Sequence, residues 1–200
     1  MASARFDRNQ LLAAFDVIGE AAPAAGTRLE ICVYGASVLT LASNFRFSTE
    51  DVDVAAIETP WPAWLAEAAA AVAKRNGWQE HWLNDGIEIY LSPSARLIED
   101  HLPFGSFPRA SDKAGLLVHV PTGRYILALK LRALHIGDPR EANSDLDDVQ
   151  SLLRSLNIAT ADEAIAITPY PDTLRGRKFS CHGCIYGFIL GDDSRRLSFT

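Results

Sequence analysis

The spacing of apolar positions changes period along this chain, and the changes outline its elements. Leu11, Leu12, Phe15 and Ile18 recur at helical spacing over residues 8–20, and Asp7 stands where a capping residue belongs. Ala21 to Gly26 reads as a loop. Leu29 to Tyr34 is an apolar run of strand length, followed by a short helix from about Ser37 to Ser43. Asn44 to Glu50 is a polar connection, and Asp51 to Ile57 alternates as a second strand. Pro60 and Pro62 open a helix that the Ala-rich stretch Trp64 to Arg75 continues and Gly77 stops.

Ile87 to Leu91 alternates as a third strand, with Glu88 and Tyr90 opposite the three apolar residues. Residues 92–115 show no clear period. Leu116 to Val120 is a fourth strand. A helix then runs from about Gly123 to Ile136 on Leu127, Lys130, Leu131 and Leu134, and Gly137-Asp138-Pro139 breaks it. The next helix, 141–156, carries Asp145, Asp147 and Asp148, then a Val149/Leu152/Leu153 face; residues 161–167 give one more helical turn. Strands come first and helices second, which predicts an α+β fold: a mixed β-sheet flanked by helices, followed by a helical hairpin. The corresponding division is a core over 1–120, a hairpin packed on it over 121–160, and an extension over 161–200.

Composition narrows the setting. Hydrophobic residues are 48% of the chain, enough to bury a core, but no apolar run reaches the length of a membrane span. The first residues lack the basic start and apolar centre of a signal peptide. Three cysteines, an odd number, argue against a disulfide framework, so a cytoplasmic protein with no membrane partner is expected. A net charge of −6 works against passive nucleic-acid binding. Cys181-His182-Gly183-Cys184 falls short of the four well-placed ligands of a structural zinc site.

The chemistry concentrates in two places. Gly35-Ala36-Ser37 follows a strand and opens a helix, where backbone N–H groups suit phosphate and Ser37 can add a hydroxyl. Gly35 has no Cβ to obstruct that approach. Asp51 and Asp53 sit at i and i+2 of a strand and so share a face. Two hard oxygen ligands there suit Mg²⁺ (or Mn²⁺), which one or two carboxylates plus substrate phosphates usually hold. A third carboxylate completes such a site and serves as base; Glu88 fits it, with Asp85 as the rival. Ser37 as a plain helix cap and Asp85 as a turn residue are the structural alternatives.

These residues resemble the DNA-polymerase-β-like nucleotidyltransferase superfamily. Tyr34-Gly35-Ala36-Ser37 and Asp51-Val52-Asp53-Val54, with thirteen residues between Ser37 and Asp51, match its pattern. The lead-in Arg46-Phe47-Ser48-Thr49-Glu50 is similar to a small bacterial branch that includes abortive-infection toxins. So are Trp82-Leu83-Asn84-Asp85-Gly86, Leu127 to Ala133, and Asp145 to Val149 with Leu152-Leu153. The resemblance spans about residues 8–157. One departure is Ala36, where the family has Gly or Ser.

The resemblance implies transfer of a nucleoside monophosphate from a nucleoside triphosphate to a hydroxyl acceptor, RNA or protein. Asp51, Asp53 and Glu88 would be catalytic and hold Mg²⁺. Gly35, Ala36, Ser37, Arg46 and Lys130 would contact the nucleotide. A partner protein from a toxin–antitoxin pair is implied too. The alternatives are a catalytically inactive, antitoxin-like module that binds nucleotide or protein, and an unrelated α+β protein whose carboxylate pair is coincidental. For Lys130 the structural alternative is an ion pair with Asp145 or Asp148 across the hairpin.

Overall fold

The structure, a computed structural model, describes residues 4–55, 61–91, 100–133 and 139–167. Residues expected to carry the end of the second strand from 56 to 57, the Pro60 helix start, Leu134, Ile136 and the Cys181/Cys184 segment lie outside them. The chain divides into two compact units between Thr122 and Gly123.

In the first unit, α1 (Arg8–Ala24) begins at Asp7, whose carboxylate accepts from Gln10 N at 2.9 Å while the Gln10 side chain accepts from Asp7 N at 2.9 Å. The helix runs on through the expected loop as far as Ala24. A five-stranded mixed sheet forms the frame, in the order β5 (Leu83–Asn84), β4 (Val52–Ala55), β2 (Leu29–Tyr34), β7 (Leu116–Pro121), β6 (His101–Phe107). The strand pair β2/β4 is antiparallel, β2/β7 and β4/β5 are parallel, and β6/β7 is antiparallel. Ile31, Val33, Val52, Val54, Leu116 and Val118 alternate into the core, where α1, α2 (Gly35–Ala42) and α3 (Ala63–Asn76) also bury their apolar residues.

A second, two-stranded sheet pairs β1 (Phe6–Asp7) with β3 (Ser48–Thr49). It brings Phe6 against Trp78 and Trp82, at ring-centroid distances of 4.2 and 6.0 Å. The Trp82 indole donates to the Ala69 carbonyl at 3.0 Å, which fixes α3 to the strand that Trp82 precedes.

Two sequence expectations change. The third strand expected at Ile87 to Leu91 is a 3-10 turn, Gly86–Tyr90. Asn84 Oδ1 accepts from Gly86 N at 3.0 Å and Glu88 N donates to the Asp85 carbonyl at 3.0 Å, so local bonds capture the backbone before a strand can form. Ile89, expected on an apolar strand face, is 79% exposed. Residues 101–107, without a readable period, form the edge strand β6. Pro103 and a register shift before Gly105 break its alternation, and both are tolerated at an edge.

The second unit holds α4 (Gly123–Ala133), α5 (Pro139–Ser155) and α6 (Ala161–Ala166). Pro139 takes the first helical position, where a missing N–H costs nothing. Lys130 Nζ lies 2.6 Å from Asp145 Oδ1 and 2.9 Å from Asp148 Oδ2, with the Asp148 side chain 3% exposed. Two carboxylates from α5 thus neutralise one ammonium from α4. Removing the cation leaves buried negative charge. Lys130→Met therefore lowers stability by about 3–5 kcal/mol, read from urea unfolding followed by circular dichroism. An unchanged urea midpoint would show that the ion triad does not hold the hairpin.

Candidate functional site

The site is built on the β2/β4 pair. Tyr34 stands directly opposite Asp53, and on the other side Asp53 stands opposite Asn84 of β5. Opposed residues share a sheet face. Val52 and Val54 point into the core, so the alternation turns Asp53 to the other face, where it is half-buried. Asp51 lies one residue before β4, exposed at the end of the lead-in.

The strand β2 passes directly into α2. Gly35 has φ +67°, a left-handed conformation that favours glycine. A Cβ built on Gly35 would collide with Asp53 Oδ2. The open space above Gly35 is therefore where the Asp53 carboxylate lies, beside the first turn of α2. That turn has no side-chain cap at Tyr34, and its leading N–H groups have no partner within the helix. Ala36 follows Gly35 in this turn, half-buried. Ser37 takes a structural role in this turn. Its hydroxyl is buried and donates to the Tyr34 carbonyl at 2.6 Å, so it tightens the turn from within.

The lead-in is held by its own hydroxyls. Thr49 Oγ1, buried, donates to the Asp51 carbonyl at 3.0 Å. Arg5 donates to Ser48 Oγ and to Glu50 Oε1, both at 3.1 Å. Arg46 is half-buried, and its charge acts on Asp51. Burial raises the pKa of Asp51, with Glu50 adding to the rise. Its own backbone amide, Arg46 and His81 act more weakly in the opposite direction. Asp51 is exposed as a residue, so its carboxylate keeps contact with water while the neighbouring protein disfavours its charge.

Asp85, the rival third carboxylate, accepts from the Trp61 indole at 2.9 Å and so braces the start of α3. Glu88 lies on the 3-10 turn, which packs against β4, and its Oε1 is turned out of solvent. Among the described residues, no three His, Cys, Asp or Glu side chains group to hold a metal ion. The expected trio of Asp51, Asp53 and Glu88 is thus not a closed cluster. Lys130 belongs to the second unit, and its contacts there are Asp145 and Asp148.

Sequence reasoning missed two neighbours of Asp53 and a partner of one of them. Tyr34 and Asn84 flank it in register, and Tyr34 Oη lies 2.7 Å from His101 Nε2 on β6. Tyr34 was legible only as an apolar strand residue. His101 sits in a stretch without a readable period.

Comparison with protein-family models, curated proteins and solved structures finds no match to this chain. Among the described residues, no helix is long and apolar enough to cross a membrane.

Two expected outcomes follow from this geometry. Gly35→Ala suffers both the positive φ and the clash with Asp53, and loses about 1–3 kcal/mol in thermal unfolding. Gly26→Ala, with φ +72° and open space at its Cβ, suffers the first cost alone and loses less. Equal losses at the two positions would show that Asp53 does not press on Gly35. For Asp51, a raised pKa means that the charged form is disfavoured in the folded state. The cost is present at neutral pH and vanishes once pH falls below the ordinary Asp value of about 4. Asp51→Asn therefore melts higher than the parent at pH 7, and the gain disappears near pH 3. A gain independent of pH would refute this account.

Proposed function

We propose that this protein is a metal-dependent nucleotidyltransferase that binds a nucleoside triphosphate at the Gly35 turn and the Asp51/Asp53 pair. One observation carries the reading: the missing Cβ of Gly35 opens the first turn of α2 onto the carboxylate of Asp53. Anion-seeking N–H groups and a cation-seeking carboxylate have opposite ligand preferences. A phosphate chain carrying a divalent cation satisfies both at once.

The donor set fits Mg²⁺ or Mn²⁺. Asp51 and Asp53 offer hard oxygens two residues apart, and a pair is what such ions take when phosphates supply the rest. A bound cation there supplies charge neutralisation on the triphosphate. The chain's own residues do the positioning. The α2 turn orients the phosphates, and Gly35 leaves room for the Asp53 carboxylate beside that turn. Thr49 and Arg5 hold the lead-in that carries Asp51. Arg46 brings positive charge to the same side. The acceptor hydroxyl, of RNA or protein, forms the new bond to the α-phosphorus as the bond to the pyrophosphate oxygen breaks. Glu88 is the carboxylate we assign to take the hydroxyl proton.

A second reading, nucleotide binding without transfer, is favoured by Ser37, whose hydroxyl is bound to Tyr34 and not presented to a ligand. Labelled nucleoside triphosphates, Mg²⁺ and total RNA or lysate separate the two. Transfer should appear, and fall about 100-fold or more in Asp51→Ala and Asp53→Ala. Mg²⁺-dependent binding with no transfer supports the second reading. A folded protein showing neither would dispose of both.

A further inference from the structure

The loop 44–47 joins α2 to β3, and its sequence is Asn44-Phe45-Arg46-Phe47. Both ends are tied down. Ser43 Oγ donates to the Leu39 carbonyl at 2.6 Å and accepts from Phe45 N at 3.2 Å. Beyond the loop, Ser48 and Thr49 pair with Asp7 and Phe6, and Arg5 bonds to the Ser48 hydroxyl. On this anchored segment Phe47 is 89% exposed and Phe45 39% exposed. Phe47 is the most exposed large apolar side chain among the described residues. Phenylalanine has no polar atom to reward such exposure, and the anchored loop keeps its ring out of the core.

The place of Phe47 in the chain sets it close to the candidate site. Arg46, its immediate neighbour, acts electrostatically on Asp51. Phe47 precedes Asp51 by four residues, so their Cα atoms are at most about 14 Å apart. Both residues therefore lie on one short segment, close enough for a single nucleotide held at Asp51 to extend toward Phe47.

We infer that Phe47 is the stacking surface for the base of the nucleoside triphosphate, with Phe45 beside it and Arg46 toward the phosphates. This rests on the triphosphate site proposed above. A phenyl face carries no hydrogen-bond donor or acceptor. It therefore reads the flat ring of a base and not its edge, so all four bases are accepted, purines most tightly for their larger ring area.

The test compares a nucleotide with its base-free counterpart. Calorimetric titration in Mg²⁺ would use a non-hydrolysable ATP analogue and, separately, inorganic tripolyphosphate. The parent protein should bind the analogue roughly 10-fold more tightly than tripolyphosphate. Phe47→Ala should abolish that difference and leave tripolyphosphate affinity unchanged, while Phe47→Trp should preserve or widen it. Asp51→Ala should weaken both ligands equally. A difference that survives in Phe47→Ala overturns the inference, as does a parent protein that binds both ligands equally; the triphosphate site stands in either case. If the parent binds neither ligand, the site and the stacking surface fall together. If Phe47→Ala leaves binding intact but converts a dimer to a monomer in sedimentation, the ring belongs to an interface between copies and the inference fails.

Discussion

The Asp53 carboxylate occupies the space where residue 35 would carry a Cβ, and the geometry of the candidate site follows from that contact. Three features create it. Antiparallel register sets Tyr34 opposite Asp53. The positive φ of Gly35 swings the chain from strand to helix in one residue. The alternation of β4 commits Val52 and Val54 to the core and so leaves Asp53 no other face. A slip of one residue between β2 and β4 would exchange those faces and bury the carboxylate among aliphatic side chains.

The surroundings maintain this contact at some cost. Crowding of the Asp51 carboxylate, beside Glu50, favours its protonated form. Bonds from Thr49 and Arg5, together with the small β1/β3 sheet, fix the lead-in. The aromatic group of Phe6, Trp78 and Trp82 anchors that sheet to the core. In the second unit, charge serves a different purpose: Lys130 and its two carboxylates lock α4 to α5.

Much of this was legible in the sequence because it is periodic. The helices α1 and α3 and the strands β2, β4 and β7 follow from spacing alone, whereas Asp51, expected as the first residue of the second strand, lies one residue before β4. The failures have local causes. Ile87 to Leu91 alternates like a strand, but the Asn84 side chain and an Asp85–Glu88 backbone bond draw it into a 3-10 turn. Strands of two residues, such as β1, β3 and β5, are too short to show a period. Pro103 hides β6, and with it His101, the partner of Tyr34. For Ser37 and Asp85 the sequence left a ligand role and a structural role open, because their partners, the Tyr34 carbonyl and the Trp61 indole, are three and twenty-four residues away and leave no periodic signal.

The central claim is that Asp51 and Asp53 together present one cation to a nucleotide at the Gly35 turn. Anomalous diffraction from crystals soaked in Mn²⁺ and a non-hydrolysable nucleoside triphosphate tests it directly. The account predicts a manganese peak about 2.1 Å from a carboxylate oxygen of each aspartate, with phosphate density at the first turn of α2. A fully occupied nucleotide elsewhere on the protein, or manganese bound away from both aspartates, would contradict it.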